Sequence, residues 1–311
     1  MKKELFGWIT LVLICNTHAQ KGYADDPFRS DSGIFGPSYS DILKKIDHLH
    51  TEFPELTHVI EYGRSVRGRP LKILLVGHPN RGSTHPALVM SGSTHGNEYL
   101  HIEDRLPEEM VRRYQTPGPI QSFIDRGGVF VLIPLLNPDG YEARERENAN
   151  GVDLNRDWDV PPAGFSGFKE PETSTLKKQL EVMSLSDLSL TYQVTVDYHC
   201  CIGALLHPWS YTQTPLPQSD LDKHSGIGEL VKQNLGVPFG TTGDILGYYP
   251  LGTSKDYYYH RYRALSFTYE GRYREEDKYL EKHLAWWEAI VQWLNWEAQI
   301  ETLKLSVPHS L

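Results

Sequence analysis

His95-Gly96-Asn97-Glu98 sets an imidazole and a carboxylate three residues apart, directly after the apolar run from Pro86 to Ser93. At a junction between a strand and the helix expected to start at Gly96, that spacing lets both side chains converge on one point. A second imidazole, His199, closes the apolar stretch that ends in Asp197-Tyr198-His199, with no helical partner four residues on. Singly, each motif has a plainer reading: His-x-x-Glu as a surface ion pair, His199 as a structural strand-end histidine. Together, two His and one Glu make the ligand set that leaves zinc one open position for water.

The elements around these residues alternate between strand and helix. Ile42, Leu43, Ile46 and Leu49 recur at helical spacing between Ser40 and Glu52. Thr57 to Tyr62 and Leu71 to Val76 read as strands about the turn Arg67-Gly68-Arg69-Pro70, and Pro107 should break or kink the helix begun at Gly96. Val129 to Leu136 is another strand, stopped by Asn137-Pro138-Asp139-Gly140. Glu170 to Met183 is helical, Tyr192 to Tyr198, Ala204 to His207 and Leu265 to Tyr269 are strands, and Glu276 to Leu303 is a terminal helix with Leu280, Leu284, Trp287, Ile290, Trp293 and Leu294 on its docked face. Such alternation predicts a single α/β domain: a mixed, mostly parallel, twisted sheet with helices on both faces.

The 311 residues are 39% apolar, 11% aromatic and 23% charged, which excludes disordered, collagen-like and fibrous classes. With 31 Lys and Arg against 40 Asp and Glu, the formal charge of −9 makes nucleic acid an unexpected partner. Lys2 and Lys3, the apolar run Leu5 to Cys15 and Thr17-His18-Ala19 have the layout of a signal peptide cleaved after Ala19, so a secreted or periplasmic protein without stable membrane association is expected. The run is too short for a bilayer-spanning helix. Cys200 and Cys201 are adjacent, which leaves two free thiols or a vicinal disulfide but no disulfide framework.

The ordered motifs His95-x-x-Glu98, Asn137-Pro138-Asp139-Gly140, Arg146-Glu147-Asn148, Gly151-Val152-Asp153-Leu154-Asn155-Arg156, His199 and Phe267-Thr268-Tyr269-Glu270 resemble the zinc carboxypeptidase A/B family, the funnel-type metallocarboxypeptidases. The resemblance runs over nearly all of the mature length. It implies one zinc ion per chain, held by His95, Glu98 and His199, with Asp153 accepting from the other ring nitrogen of His95. It implies that Glu270 is the general base, that Arg146 stabilises the developing oxyanion, with Arg144 a neighbouring competitor, and that Asn155 and Arg156 grip the substrate's terminal carboxylate. Tyr248 matches the family's mobile tyrosine, with Tyr249 beside it. Lys255 falls at the bottom of the pocket for the C-terminal side chain, where it favours acidic termini; the alternative is a lysine that snorkels to solvent.

The family's Ser-Tyr after the last histidine is Cys200-Cys201 here, which should widen the subsite on the amino side of the scissile bond, and the resemblance implies a cis peptide between the two. The expected organisation is a signal peptide over 1–19, an N-terminal extension over 20–36 and a catalytic domain over 37–305, without a digestive-type pro-segment or an added β-sandwich domain. The leading reading is an exported, monomeric zinc carboxypeptidase acting on peptide C-termini. A peptidoglycan stem-peptide carboxypeptidase or amidase and an N-acyl-amino-acid deacylase use the same chemistry, and a zinc-binding pseudopeptidase would bind termini without cutting. Retention of Glu270 and Tyr248 favours the peptidase.

Overall fold

Runs rich in Val, Ile, Leu and aromatic residues, bounded by turn formers, become the strands. The computed structural model describes residues 35–79, 83–100, 102–272 and 279–306. Its strands are β1 (Thr57–Arg64), β2 (Pro70–Val76), β3 (His85–Gly92), β4 (Val129–Ile133), β5 (Leu190–His207), β6 (Phe239–Thr241) and β7 (Leu265–Arg272). They form one sheet in the order β1-β2-β4-β3-β5-β6, with β7 also paired to β5. β2 is antiparallel to β1 and β4, while β3 with β4 and β5 with β3, β6 and β7 are parallel, so the sheet is mixed and mostly parallel as expected.

The helices are α1 (Tyr39–Glu52), α2 (Leu106–Tyr114), α3 (Pro119–Asp125), α4 (Pro138–Ala143), α5 (Pro171–Leu185), α6 (Gln218–Leu235), α7 (Thr242–Leu246), α8 (Ser254–Tyr262) and α9 (Leu280–Ser306). Strand alternation sorts the core onto two faces. Val129, Val131 and Ile133 of β4 pack with Leu176, Leu180 and Met183 of α5 and with Tyr257 and Tyr258 of α8. Phe130, between them in sequence, turns the other way onto Phe123 of α3 and Trp287 of α9. No helix among the described residues is long and apolar enough to cross a membrane. The signal peptide expected over 1–19 lies outside the described residues.

Two expectations are corrected. No helix starts at Gly96: the described residues from Ser93 to Arg105 form turns and loop, and α2 begins at Leu106 with Pro107 in its first turn, where a missing N–H costs nothing. The buried carboxylate of Glu103 takes backbone N–H groups of Leu100 and Ile102, each at 3.1 Å, and so replaces the bonds a helix would have made. The two strands expected at Tyr192–Tyr198 and Ala204–His207 are one strand, β5. Its register against β7 slips between Cys201 and Leu206, and Gly203 supplies a left-handed φ of 73° within that bulge. The implied cis peptide joins Cys200 to Cys201, whose sulfurs are paired.

Parallel strands leave their carboxyl ends on one edge, which is where such sheets place their sites. The loop bearing His95 follows β3, α4 follows β4, and His199 of β5 stands in register with Glu270 of β7.

Candidate active site

Close backbone packing aims the loop after β3. A side chain at Gly96 would collide with the backbone of Gly140 and Tyr141 in α4, so only glycine lets the loop lie against that helix. Asn137 caps α4 by accepting from Gly140 N at 2.9 Å, and its amide N–H donates to Thr94 O at 3.4 Å and Arg146 O at 3.3 Å. One cap thereby ties the His95 loop to the Arg146 loop.

His95 and His199 are 3% and 1% exposed. Their Nδ1 atoms face each other at 3.0 Å, and Glu98 Oε2 lies 2.8 Å from His95 Nδ1 and 2.9 Å from His199 Nδ1. The opposite ring nitrogens each meet a carboxylate: His95 Nε2 is 2.9 Å from Asp153 Oδ1, and His199 Nε2 is 3.0 Å from Asp197 Oδ2. With each Nε2–H given to a carboxylate, the two Nδ1 lone pairs converge beside Glu98, an arrangement that needs positive charge between them. Burial opposes charge on His199, yet Asp197 first and then Glu98 drive its pKa well up, so the surroundings favour a cation. Among the described residues these three are the one His/Cys/Asp/Glu group of metal-binding geometry, with ligand atoms within 4.8 Å of one another. Two imidazole nitrogens and one carboxylate are the donors of an open zinc site, so the residues fit that ion.

Arg146 donates from Nε and Nη2 to Asp153 Oδ2 at 3.1 and 2.9 Å, and from Nη1 to Glu98 Oε1 at 3.0 Å. Its competitor Arg144 instead forms the left-handed C-cap of α4. Asp153 also accepts from Asn155 N at 2.8 Å, and Asn155 Nδ2 lies 3.3 Å from His199 Nε2. Arg156 Nη1 donates to Asn155 O at 2.7 Å. Burial pushes the Glu270 carboxyl up to about 7, opposed by His199 and helped by the Glu98 carboxylate.

Lys255 is 2% exposed and donates from Nζ to Thr242 Oγ1 at 3.0 Å, so it does not snorkel to solvent. Burial lowers its pKa against the opposing charges of Asp256 and Glu270. Tyr248 stands exposed between α7 and α8 and makes none of the hydrogen bonds described for this site. Tyr249 OH, in contrast, accepts from Gln213 Nε2 at 2.8 Å, and its ring fills the space beside Gly243.

Asp197 is the site residue that motif reading leaves without a role. Its signal is in the sequence: two residues before His199 on a strand, it shares that histidine's face, where a carboxylate needs partners.

The family model for zinc carboxypeptidases matches residues 42–289. Carboxypeptidase A4 of Mus musculus is 25% identical over 260 residues, which is 74% of this chain and 61% of the relative. Carboxypeptidase A1 of Bos taurus is 26% identical over 266 residues, 75% of this chain and 62% of the relative. The chain thus spans about three-fifths of the length of these curated relatives. The crystal structure of carboxypeptidase A from Helicoverpa armigera shares the fold, with a TM-score of 0.62, 22% identity and coverage of 82% of this chain and 71% of that one.

Proposed function

The chain belongs to the zinc carboxypeptidase family, and from that premise we propose that it is an exported, monomeric exopeptidase that releases C-terminal residues from peptides and prefers acidic ones. The observation that carries the reading is the triangle of His95 Nδ1, Glu98 Oε2 and His199 Nδ1, with sides of 2.8, 2.9 and 3.0 Å, beside Glu270.

These three residues would hold Zn²⁺, and Asp153 would fix the His95 ring. When bound, the ion supplies Lewis acidity toward the scissile carbonyl and the attacking water. Glu270 takes the proton of that water and delivers it to the leaving amine, a role suited to a half-buried carboxyl whose pKa desolvation has raised toward neutrality. Arg146 leans on Glu98 and Asp153 and presents its guanidinium charge where the oxyanion develops. Asn155 and Arg156 bind the substrate's terminal carboxylate, which makes the cleft one for chain ends rather than interior bonds. Tyr248, exposed and outside the hydrogen-bonded set, is free to close over the bound terminus.

Lys255 sets the preference. Its ammonium is buried with one neutral hydroxyl as hydrogen-bond partner, and an apolar C-terminal side chain would leave it uncompensated, whereas a carboxylate would pair with it. Incubation of zinc-loaded protein with peptides differing only in the last residue, read by mass spectrometry, tests the proposal. Stepwise loss of C-terminal Glu and Asp ahead of Phe, Leu, Lys and Arg is expected. Internal cleavage, or no loss from any terminus, would refute it.

A further inference from the structure

Asp197 lies in the middle of β5, 3% exposed, in register with Ser91 of β3 on one side and Thr268 of β7 on the other. A carboxylate there is costly unless its lone pairs are filled. They are filled by four side chains from three stretches of the chain. Oδ1 accepts from Ser91 Oγ and from Thr94 Oγ1, both at 2.9 Å. Oδ2 accepts from Ser254 Oγ at 2.7 Å and faces His199 Nε2 at 3.0 Å.

What these partners adjoin is the informative part. Thr94 immediately precedes His95, so one arm holds the segment of the first histidine while another holds the second histidine directly. Ser254 opens α8, immediately before Lys255, and its backbone N–H donates to Asn155 Oδ1 at 3.1 Å. A single carboxylate therefore connects both histidine segments, the helix that carries the pocket lysine and the asparagine assigned to the terminal carboxylate.

We infer that Asp197 is a positioning residue that fixes His199 with Nε2–H bonded and Nδ1 turned to the metal, and that ties α8, through Ser254, to the same frame. The inference rests on the zinc reading of the site. A carboxylate of purely structural value would lower folding stability when replaced but leave the folded protein's metal affinity unmoved. A positioning role predicts a split between its arms. In Asp197→Asn the imidazole loses its charged partner, and zinc affinity, measured by competition with a chromophoric chelator, should fall about 10–100-fold. The visible spectrum of the Co²⁺-loaded variant should shift relative to the parent. Ser254→Ala cuts only the helix arm: zinc affinity should stay within about twofold of the parent, while KM for a peptide ending in Glu rises several-fold.

An Asp197→Asn protein that folds and holds zinc as tightly as the parent, with an unshifted Co²⁺ spectrum, overturns the inference alone. A parent chain that takes up no zinc overturns the proposed function and this inference with it. Should Asp197→Asn yield no folded protein, the double variant Ser91→Ala, Thr94→Ala decides. It removes both hydroxyls that hold Oδ1 and so aim the carboxylate at His199, and on the inference a carboxylate free to turn no longer fixes the ring: weakened zinc binding supports the inference and unchanged binding overturns it.

Discussion

At the proposed metal end, every ring nitrogen of His95 and His199 has a partner. Glu98, Asp153 and Asp197 surround the imidazoles, and the guanidinium bonded among them is that of Arg146. At the proposed pocket end, Lys255 is as deeply buried, yet its hydrogen bond goes to the neutral hydroxyl of Thr242, while the nearby carboxylate of Asp256 is occupied by the backbone N–H of Ser210. Thr268 Oγ1, on β7 and in register with Asp197, is buried without a partner. The first end carries three carboxylates against one guanidinium, and at the second no described carboxylate hydrogen-bonds the ammonium. On the proposed reading, a bound cation would complete the first and a substrate carboxylate the second.

The largest expected effect breaks the metal end without emptying it. Glu270→Gln keeps the volume of the side chain and all three residues proposed to hold zinc, so zinc content by elemental analysis should match the parent and a peptide product should still bind. Turnover should fall by about 10²–10⁴-fold, the usual contribution of a positioned general base, and further if the carboxylate also orients the water. A variant with near-native kcat would mean that another residue activates the water.

The next effect concerns the pocket end alone. Lys255→Ile should remove the preference for acidic termini, and Lys255→Asp should move it toward Lys and Arg. The parent's discrimination is expected at about tenfold or more in kcat/KM, equivalent to roughly 1.4 kcal/mol. Zinc content should not change in either variant, which is what separates the two ends. If the ranking of termini is the same in parent and both variants, specificity is set by other residues.

The two ends also differed in how readable they were. The metal end shows in the chain because its residues are of rare type at fixed places after strands, and because His95, Glu98, Asp153 and Arg146 fall within two short stretches. Asp197 stands in plain view beside His199, but its use depends on Ser91, Thr94 and Ser254, which come from two other stretches of the chain and meet it only in the folded protein. The alternation of strands and helices carried the sheet's class, whereas the helix expected at Gly96 did not form because the side chain of Glu103 takes backbone N–H groups of that segment, a tertiary effect invisible to periodicity. The single long β5 was hidden by a glycine bulge, which looks from sequence like a break. The fate of Lys255 was open for the same kind of reason: lysines ordinarily reach solvent, and only the placement of α7 against α8 gives this one a buried partner.

The smallest effect sharpens the rim of the pocket, where two adjacent tyrosines compete for one role. Tyr249 is committed to the fold: its hydroxyl accepts from Gln213, and its ring packs where a side chain on Gly243 would otherwise sit. Tyr248 is 47% exposed and makes none of the site's hydrogen bonds, which leaves its hydroxyl available to a ligand. Tyr248→Phe should therefore raise KM for a Glu-terminated peptide by about 2–10-fold, the equivalent of one hydrogen bond of roughly 0.5–1.5 kcal/mol, with little change in Tm. Tyr249→Phe should do the reverse, lowering Tm slightly through the lost Gln213 bond while KM stays near the parent value. Zinc affinity should be untouched in both, because the partners described for the carboxylates beside the histidines include neither tyrosine. A KM effect confined to Tyr249→Phe would exchange the two assignments and place the closing hydroxyl on the tyrosine that packs against α7.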